Sequence, residues 1–161
     1  MTRWWPRLTS TAVAFVLIAG CTSGGGAADR VALPGFGETA YRVARGGATV
    51  KKGCALLATT EAQQSHGLMN VRDLKGYDGM VFAFPTDTTV GFYMKDTPMA
   101  LSIAWFDGNG RFVSGADMAP GRVEPSYFAA APYRYAFEVP RGKLGLAGIG
   151  PDTTLTIGGD C

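Results

Sequence analysis

The side chains best suited to binding or chemistry lie in the second half of the chain. A turn-forming segment, Tyr-Met-Lys-Asp-Thr-Pro, carries Tyr93, Lys95 and Asp96, and a later strand-like segment carries Glu138. An amine or a carboxylate can bind a polar ligand or transfer a proton, and exposed aromatic rings can line a binding surface. The candidate ligand-binding residues are therefore Tyr93, Lys95, Asp96 and Trp105.

Each of these residues also has a structural explanation. In Lys95-Asp96-Thr97-Pro98 the Asp and Thr side chains can bond to nearby backbone, and the proline ring fixes φ, which suits a turn. Glu138 and Arg134 lie on one face of a strand-like segment, too far apart for direct pairing, so each would meet a residue of a neighbouring strand. Trp105 is equally suited to the core.

Residue types and spacing reveal no catalytic constellation. An enzyme needs a nucleophile beside a base, paired carboxylates or metal ligands at a workable spacing, and the sequence secures none of these. The one histidine, His66, lies in the last turn of a short predicted helix, where an imidazole can cap carbonyl groups. We predict no catalytic residue, metal or cofactor; the alternative is an enzyme with a site near Lys95 and Glu138.

The first twenty residues have the order of an export signal. Arg3 and Arg7 precede a short apolar run, roughly half of the ~20 residues that a permanent transmembrane helix needs. The run leads through small residues into Leu17-Ile18-Ala19-Gly20-Cys21, which resembles a bacterial lipobox. A general secretory signal with an incidental cysteine is the alternative.

The lipobox resemblance implies cleavage before Cys21 and a diacylglyceryl group on its thiol. Two acyl chains anchor a protein stably, whereas one is marginal. Residues 1–20 are then the signal peptide, and residues 21–30 form a flexible lipidated tether. The predicted location is extracytoplasmic, held by lipid to the cell membrane, or to the outer membrane if the organism has one.

The charge balance argues against a nucleic-acid partner. The formal charge is +2, but Arg3 and Arg7 are the only charged residues before Cys21, and their removal leaves 13 basic and 13 acidic residues. The electrostatic attraction that drives binding to phosphate backbones is therefore missing.

Cys54 and Cys161 remain after Cys21 is assigned to the lipid anchor. Export permits a disulfide between them, and closing so long a loop could contribute up to ~4 to 5 kcal/mol. The alternative is that Cys54 is a small buried hydrophobic residue and Cys161 a free terminal thiol.

Short apolar runs with strand-like spacing dominate the rest of the chain. One short helix is predicted, because Thr60-Glu61-Ala62-Gln63 matches a capping box and Gly67 supplies a stop. The strand-like segments are Tyr41 to Ala58 as two strands, Met80 to Phe84, Gly91 to Met94, Leu101 to Phe106, Arg111 to Val113, Tyr133 to Val139 and Leu155 to Ile157. In the segment from Tyr133, the residues Tyr133, Tyr135, Phe137 and Val139 share one face.

These segments predict a mostly β (α+β) fold. The expected architecture is a single compact, barrel-like or sandwich domain over residues 31–161, with about seven short strands and one or two short helical turns. Asp107-Gly108-Asn109-Gly110 is expected to turn a hairpin inside it.

Several motifs occur in a specific order between residues 60 and 152. They are Gly67-Leu68-Met69, Leu74, Gly79-Met80-Val81-Phe82 with Phe84, Phe92-Tyr93-Met94-Lys95 with Thr97, Phe106-Asp107 to Gly110, and Pro132 to Pro140. In this order they resemble the domain of unknown function 192 family, whose members are small and often exported. The resemblance implies a compact β-rich fold with a minor helix and no established reaction.

The chain departs from that family pattern at charged positions. Arginines are common at two family positions where this chain has Gln64 and Val71, and an aspartate is common where it has Ser102. The anchor and the missing catalytic constellation together favour a non-catalytic module that binds a small ligand, an envelope glycan or a protein partner. A purely structural envelope lipoprotein is a further alternative.

Overall fold

The computed structural model describes Met1 and residues 30–123 and 127–161. The predicted signal peptide, lipidated Cys21 and tether occupy residues 1–30, of which 2–29 lie outside the described part. The elements are β1 (Gly37–Arg45), β2 (Ala48–Ala58), α1 (Glu61–His66), β3 (Met80–Thr88), β4 (Leu101–Phe106), β5 (Phe112–Met118), β6 (Tyr133–Pro140) and β7 (Thr153–Ile157). None of the helical structure in the described residues is long and apolar enough to cross a bilayer.

All seven strands belong to one sheet, in the order β5-β4-β6-β3-β2-β1-β7. Neighbouring strands are antiparallel except β2 and β3, which run parallel. Parallel neighbours need a crossover instead of a tight turn, and here the crossover contains α1. The helix consequently lies against β3, where the side-chain amide of Gln64 donates to the Ala83 carbonyl at 2.9 Å.

The two edge strands of this sheet approach each other. Arg111 and Thr154 form an isolated bridge, and the Leu155 N–H donates to the Gly110 carbonyl at 2.7 Å. Gly110 has φ +75° and a Cβ there would overlap the Leu155 carbonyl oxygen, so this approach requires glycine. Within the described residues β5 and β7 form no longer ladder, so the sheet is curled but not closed. The prediction of a mostly β, compact domain with about seven short strands and one or two short helical turns is confirmed.

Each face of the sheet carries a buried apolar cluster. On β4, all six residues are buried, with Ile103 and Trp105 in the first cluster and Ala104 and Phe106 in the second. Successive strand residues point to opposite faces, so both faces of β4 are covered by other parts of the chain. The first cluster includes Leu56, Met80, Phe82, Met94 and Tyr133, and the second includes Tyr41, Val43, Val81, Phe137, Val139 and Leu155.

Two local predictions differ from the structure. Gly91 to Met94 is not a strand; it contributes one bridge, from Phe92 to Tyr127, within the connection from β3 to β4. Tyr133 packs in the first cluster instead of sharing a face with Phe137, because the pairing of β6 with β3 shifts register between Ala83 and Thr88.

The predicted ends of α1 are confirmed. The Thr60 hydroxyl accepts from the Gln63 N–H at 3.3 Å, and the Gln63 side chain accepts from the Thr60 N–H at 3.0 Å, which completes the capping box. Gly67 ends the helix with φ 51°, donating its N–H to the Gln63 carbonyl at 2.8 Å. Local hydrogen bonding therefore fixes both ends of α1.

The C-terminus is held to the sheet by a covalent bond. Cys54, in β2, and Cys161 form a disulfide with their Cα atoms 5.6 Å apart. The bond closes a loop across a sequence separation of 107. It connects the last residue to a strand near the middle of the sheet.

Candidate functional site

A cavity of about 260 Å³ lies between the end of α1, strand β3, the connection from β3 to β4, and β6. Its walls are largely apolar, formed by Leu68, Met69, Phe82, Phe84, Phe92 and Tyr93, with Val90 at the edge. The polar side chains in the lining are those of Glu61, Gln64, Ser65, His66, Thr97 and Glu138. A concave, mainly apolar site with a few polar groups is the usual form of a small-molecule pocket.

The end of α1 forms one side of this cavity. A Cβ at Gly67 would lie 3.4 Å from the Phe82 ring, so the chain leaves the helix in close contact with the aromatic wall. The hydrogen bond from Gln64 to Ala83 holds the helix on β3. The Tyr93 side chain reaches the helix, where its hydroxyl donates a hydrogen bond to the Ser65 carbonyl at 3.3 Å.

The back wall of the cavity is continuous with an aromatic cluster. The Phe82 and Phe92 rings are nearly perpendicular, with centroids 5.0 Å apart, and Phe84 meets Tyr133 edge to face at 5.5 Å. The buried Tyr133 hydroxyl donates to the Val90 carbonyl at 2.6 Å. Edge-to-face contacts and this hydrogen bond hold the wall in one arrangement.

Glu138 is the charged residue buried in this site. It is 4% exposed, lies on β6 opposite Met80 of β3 and Ile103 of β4, and lines the cavity. Among the described residues its carboxylate has neither a hydrogen bond nor an ion pair. Its oxygens are not among the fully enclosed atoms without a partner, so they reach the cavity surface.

Burial raises the pKa of the Glu138 carboxyl from its ordinary 4.5 to about 8. The cause is desolvation, which disfavours the charged form of an acid in apolar surroundings. A carboxyl of this kind changes its charge near neutral pH. Strongly perturbed acids inside a cavity are concentrated at functional sites.

Sequence reasoning assigned Glu138 a structural role beside a cross-strand partner. The structure gives such a partner only to Arg134, whose Nε lies 2.9 Å from Asp87 Oδ1 at the surface. The sequence did contain a sign that Glu138 is buried, because Phe137 and Val139 flank it in an apolar strand. The order of strands in the sheet, which buries both faces of β6, was not available from that pattern.

The other candidate ligand-binding residues do not converge on one place. Tyr93 lines the cavity and is 39% exposed. Lys95 is exposed and outside the cavity lining, and Asp96 lines a separate, more open depression with Asn70 and Arg72. Trp105 is 1% exposed in the first cluster, and its Nε1 has no hydrogen-bond partner there, so it offers no surface to a ligand.

The turn from Lys95 to Pro98 uses the Thr97 side chain as its sequence indicated. The Thr97 hydroxyl donates to the Lys95 carbonyl at 3.1 Å, and the Thr97 N–H donates to the Met94 carbonyl at 3.2 Å. Among the described residues, no group of three or more His, Cys, Asp or Glu could hold a metal ion.

The motif residues that carry the family resemblance meet around the cavity. Nine of its fifteen lining residues belong to them. These are Gly67, Leu68, Met69, Phe82, Phe84, Phe92, Tyr93, Thr97 and Glu138. Gln64, one of the positions where the chain departs from the family pattern, also lines the cavity, whereas Val71 packs against the first cluster.

Two solved structures share this fold. One is a protein of Sinorhizobium meliloti 1021, named as a candidate transcription regulator, with TM-score 0.69 and 22% identity; the match covers 76% of this chain and 95% of that one. The other is a protein of unknown function from Novosphingobium aromaticivorans DSM 12444, with TM-score 0.65 and 24% identity, covering 81% and 94%. At these identities the likeness shows the fold alone. No curated protein matches the chain.

The sequence profile of one family, described as uncharacterized ACR, matches residues 42–157. This range contains the predicted match over residues 60–152 and adds strands at both ends. It includes every residue that lines the cavity. The chain therefore belongs to the domain of unknown function 192 family.

Proposed function

We propose that this protein is a non-catalytic binding module whose cavity takes a small ligand. The observation that carries the proposal is the buried carboxyl group of Glu138, which has no partner among the described residues and lies at the surface of a cavity with an aromatic wall. A buried polar group without a partner is costly, so a ligand that supplies one gains affinity and orientation at this point. The size of the cavity favours a small molecule, or a small part of a glycan or protein, over an extended partner.

The proposed setting is the cell envelope, with the protein anchored through diacylglyceryl-Cys21. The residue order before Cys21 supports this setting, and the Cys54–Cys161 disulfide is compatible with an oxidising compartment. Cys21→Ala is expected to abolish incorporation of radiolabelled fatty acid and retention in the membrane fraction. Unchanged labelling of the variant would reject the anchor.

A thermal-shift screen of the full-length protein tests ligand binding. The panel contains sugars, peptidoglycan fragments, amines and carboxylic acids, because the cavity offers both apolar walls and a carboxyl group. A compound held at about 100 times its dissociation constant should raise the stability by about 2.7 kcal/mol.

Closing the cavity mouth should abolish that shift. Val90 is 59% exposed at the edge of the cavity, so Val90→Trp should cover the opening and weaken binding at least tenfold. Val31 is 61% exposed and outside the lining, so Val31→Trp is the matched control and should bind as the wild type does. Equal binding by the two variants, or no hit in the screen, would contradict a ligand site here.

An enzyme is the second candidate, and Glu138 is the observation that favours it. A carboxyl with a pKa of about 8 is suited to general acid–base catalysis near neutral pH. Lys95, which the sequence paired with Glu138, is outside the cavity lining, so this candidate has lost one of its two groups. Turnover of a screened ligand, abolished by Glu138→Gln, would favour the enzyme over the binding module.

A further inference from the structure

The electrostatic character of the cavity is defined by its acids. Two carboxylates, those of Glu61 and Glu138, lie in the lining, and no lysine or arginine does. Arg134, the basic residue nearest to Glu138 along β6, is engaged with Asp87 at the surface. When Glu138 is ionised, an anionic ligand would be repelled, whereas a cation would be attracted.

Among the described residues, no side chain is placed to pair with an ionised Glu138. Its neighbours across the sheet are Met80 and Ile103, both fully buried and apolar. An ionised carboxylate in such surroundings is unfavourable unless it is paired. An ammonium group in the cavity would provide both the opposite charge and N–H donors.

The walls suit the same kind of ligand. Phe82, Phe84, Phe92 and Tyr93 line the cavity, and the face of an aromatic ring attracts a cation. Leu68 and Met69 provide apolar surface for a hydrocarbon part. Aromatic rings around a carboxylate bind a cationic head group without needing a second acid.

We propose that the cavity binds an organic cation, with its ammonium group against the Glu138 carboxylate and its hydrocarbon part against the aromatic wall. This inference rests on the proposed binding function and specifies the class of ligand. It requires Glu138 to be ionised in the complex. The cation therefore displaces the carboxyl proton to solvent whenever the free protein holds it.

Three probes of similar shape test the ligand class by calorimetry on the full-length protein. They are benzylammonium, benzyl alcohol and benzoate, which differ in charge at one end. Benzylammonium should bind at least tenfold more tightly than the other two. Below pH 8 the binding of benzylammonium should release one proton, so the measured heat should depend on the ionisation enthalpy of the buffer. The affinity for benzylammonium should rise by up to tenfold per pH unit below pH 8 and level off above it.

Glu138→Gln tests the contribution of the carboxylate to binding independently of the rest of the cavity. The variant should bind benzylammonium at least tenfold more weakly, release no proton and bind benzyl alcohol as the wild type does. Glu61, His66 and Tyr93 are the other titratable groups in the lining, while β3 and β4 present Met80 and Ile103 to Glu138. The difference between wild type and variant isolates Glu138 from the other titratable groups.

Tyr93 tests the aromatic contribution at a position where folding is not at risk. Its side chain is partly exposed, so Tyr93→Leu should fold and bind benzylammonium about two- to fivefold more weakly. Tyr93→Phe keeps the ring and should therefore retain more of the affinity than Tyr93→Leu does.

Two outcomes would overturn the ligand class. If benzyl alcohol binds as tightly as benzylammonium, and more weakly above pH 8, the protonated carboxyl acts as a donor to a neutral ligand; the binding function then survives and the cation does not. If benzoate binds most tightly, the charge argument is wrong. Failure of the binding function itself is a separate result, seen when Val90→Trp and Val31→Trp behave alike toward every ligand in the screen.

Discussion

Replacing Glu138 with glutamine is expected to stabilise the protein above pH 8 and to remove most of the loss of stability that the wild type shows between about pH 4.5 and 8. In this range the folded state keeps the Glu138 proton and the unfolded state has lost it. Stability therefore falls as pH rises, by at most about 1.4 kcal/mol per pH unit, and becomes level above pH 8. Below pH 4.5 both states hold the proton, so the effect vanishes.

The size of this effect follows from the width of the pH range. The gain of Glu138→Gln over wild type should be near zero at pH 4.5 and reach roughly 4 to 5 kcal/mol at pH 8, because the amide has similar shape and no charge. Urea unfolding at pH 4.5, 6 and 8 measures it. Glu61→Gln is the matched control, since Glu61 lines the same cavity but is exposed, and it should leave the slope unchanged. The same slope in wild type and Glu138→Gln would show that the carboxyl is not desolvated.

Removing the Cys54–Cys161 disulfide should cost nearly as much stability. The bond closes a loop across 107 positions of the sequence, and a loop of about 100 residues corresponds to about 4.7 kcal/mol of chain entropy in the unfolded state. Small domains are stable by only about 5 to 15 kcal/mol in total. The Cys54→Ser, Cys161→Ser protein is therefore expected to lose a large fraction of its stability.

Urea unfolding with and without dithiothreitol measures this loss. The reductant should lower the wild-type midpoint to that of the double serine variant and leave the variant itself unchanged. Alkylation of the unfolded, unreduced protein followed by intact mass should find neither Cys54 nor Cys161 modified. A doubly alkylated protein, or a wild-type midpoint that is insensitive to reductant, would contradict the disulfide.

The parts of the fold that sequence reasoning predicted well depend on neighbouring residues. The Thr60 and Gln63 capping box and the Gly67 stop lie within eight positions, so the short-range hydrogen bonds that define α1 can be identified without any tertiary information. Period-two patterning predicted most of the strands and the fold class, because this pattern also involves only neighbouring residues. Gly91 to Met94 shows the limit of this reasoning: the run has the apolar pattern of a strand, but within the described residues it forms a single bridge, from Phe92 to Tyr127.

The site residues were harder to predict because they depend on burial. Trp105 and Tyr93 are both aromatic residues near the family motifs, yet one is enclosed in the first cluster and the other lines the cavity. Lys95 and Asp96 occupy the same turn as Tyr93 but point to different surroundings, because the turn reverses direction at Asp96, with φ 52°. Chemical type alone could not separate these cases.

The sequence by itself determined the family, the β-rich class, the ends of α1 and the motif residues that surround the cavity, because each is written in short-range patterns or in their order along the chain. Only the tertiary structure decided that Glu138 is a buried acid with a raised pKa in the cavity. Its desolvation arises from strands β3 and β4, whose Met80 and Ile103 are remote from it along the chain and adjacent to it across the sheet. The burial of Glu138 depends on which strands lie beside β6, and the packing of the whole chain fixes that strand order.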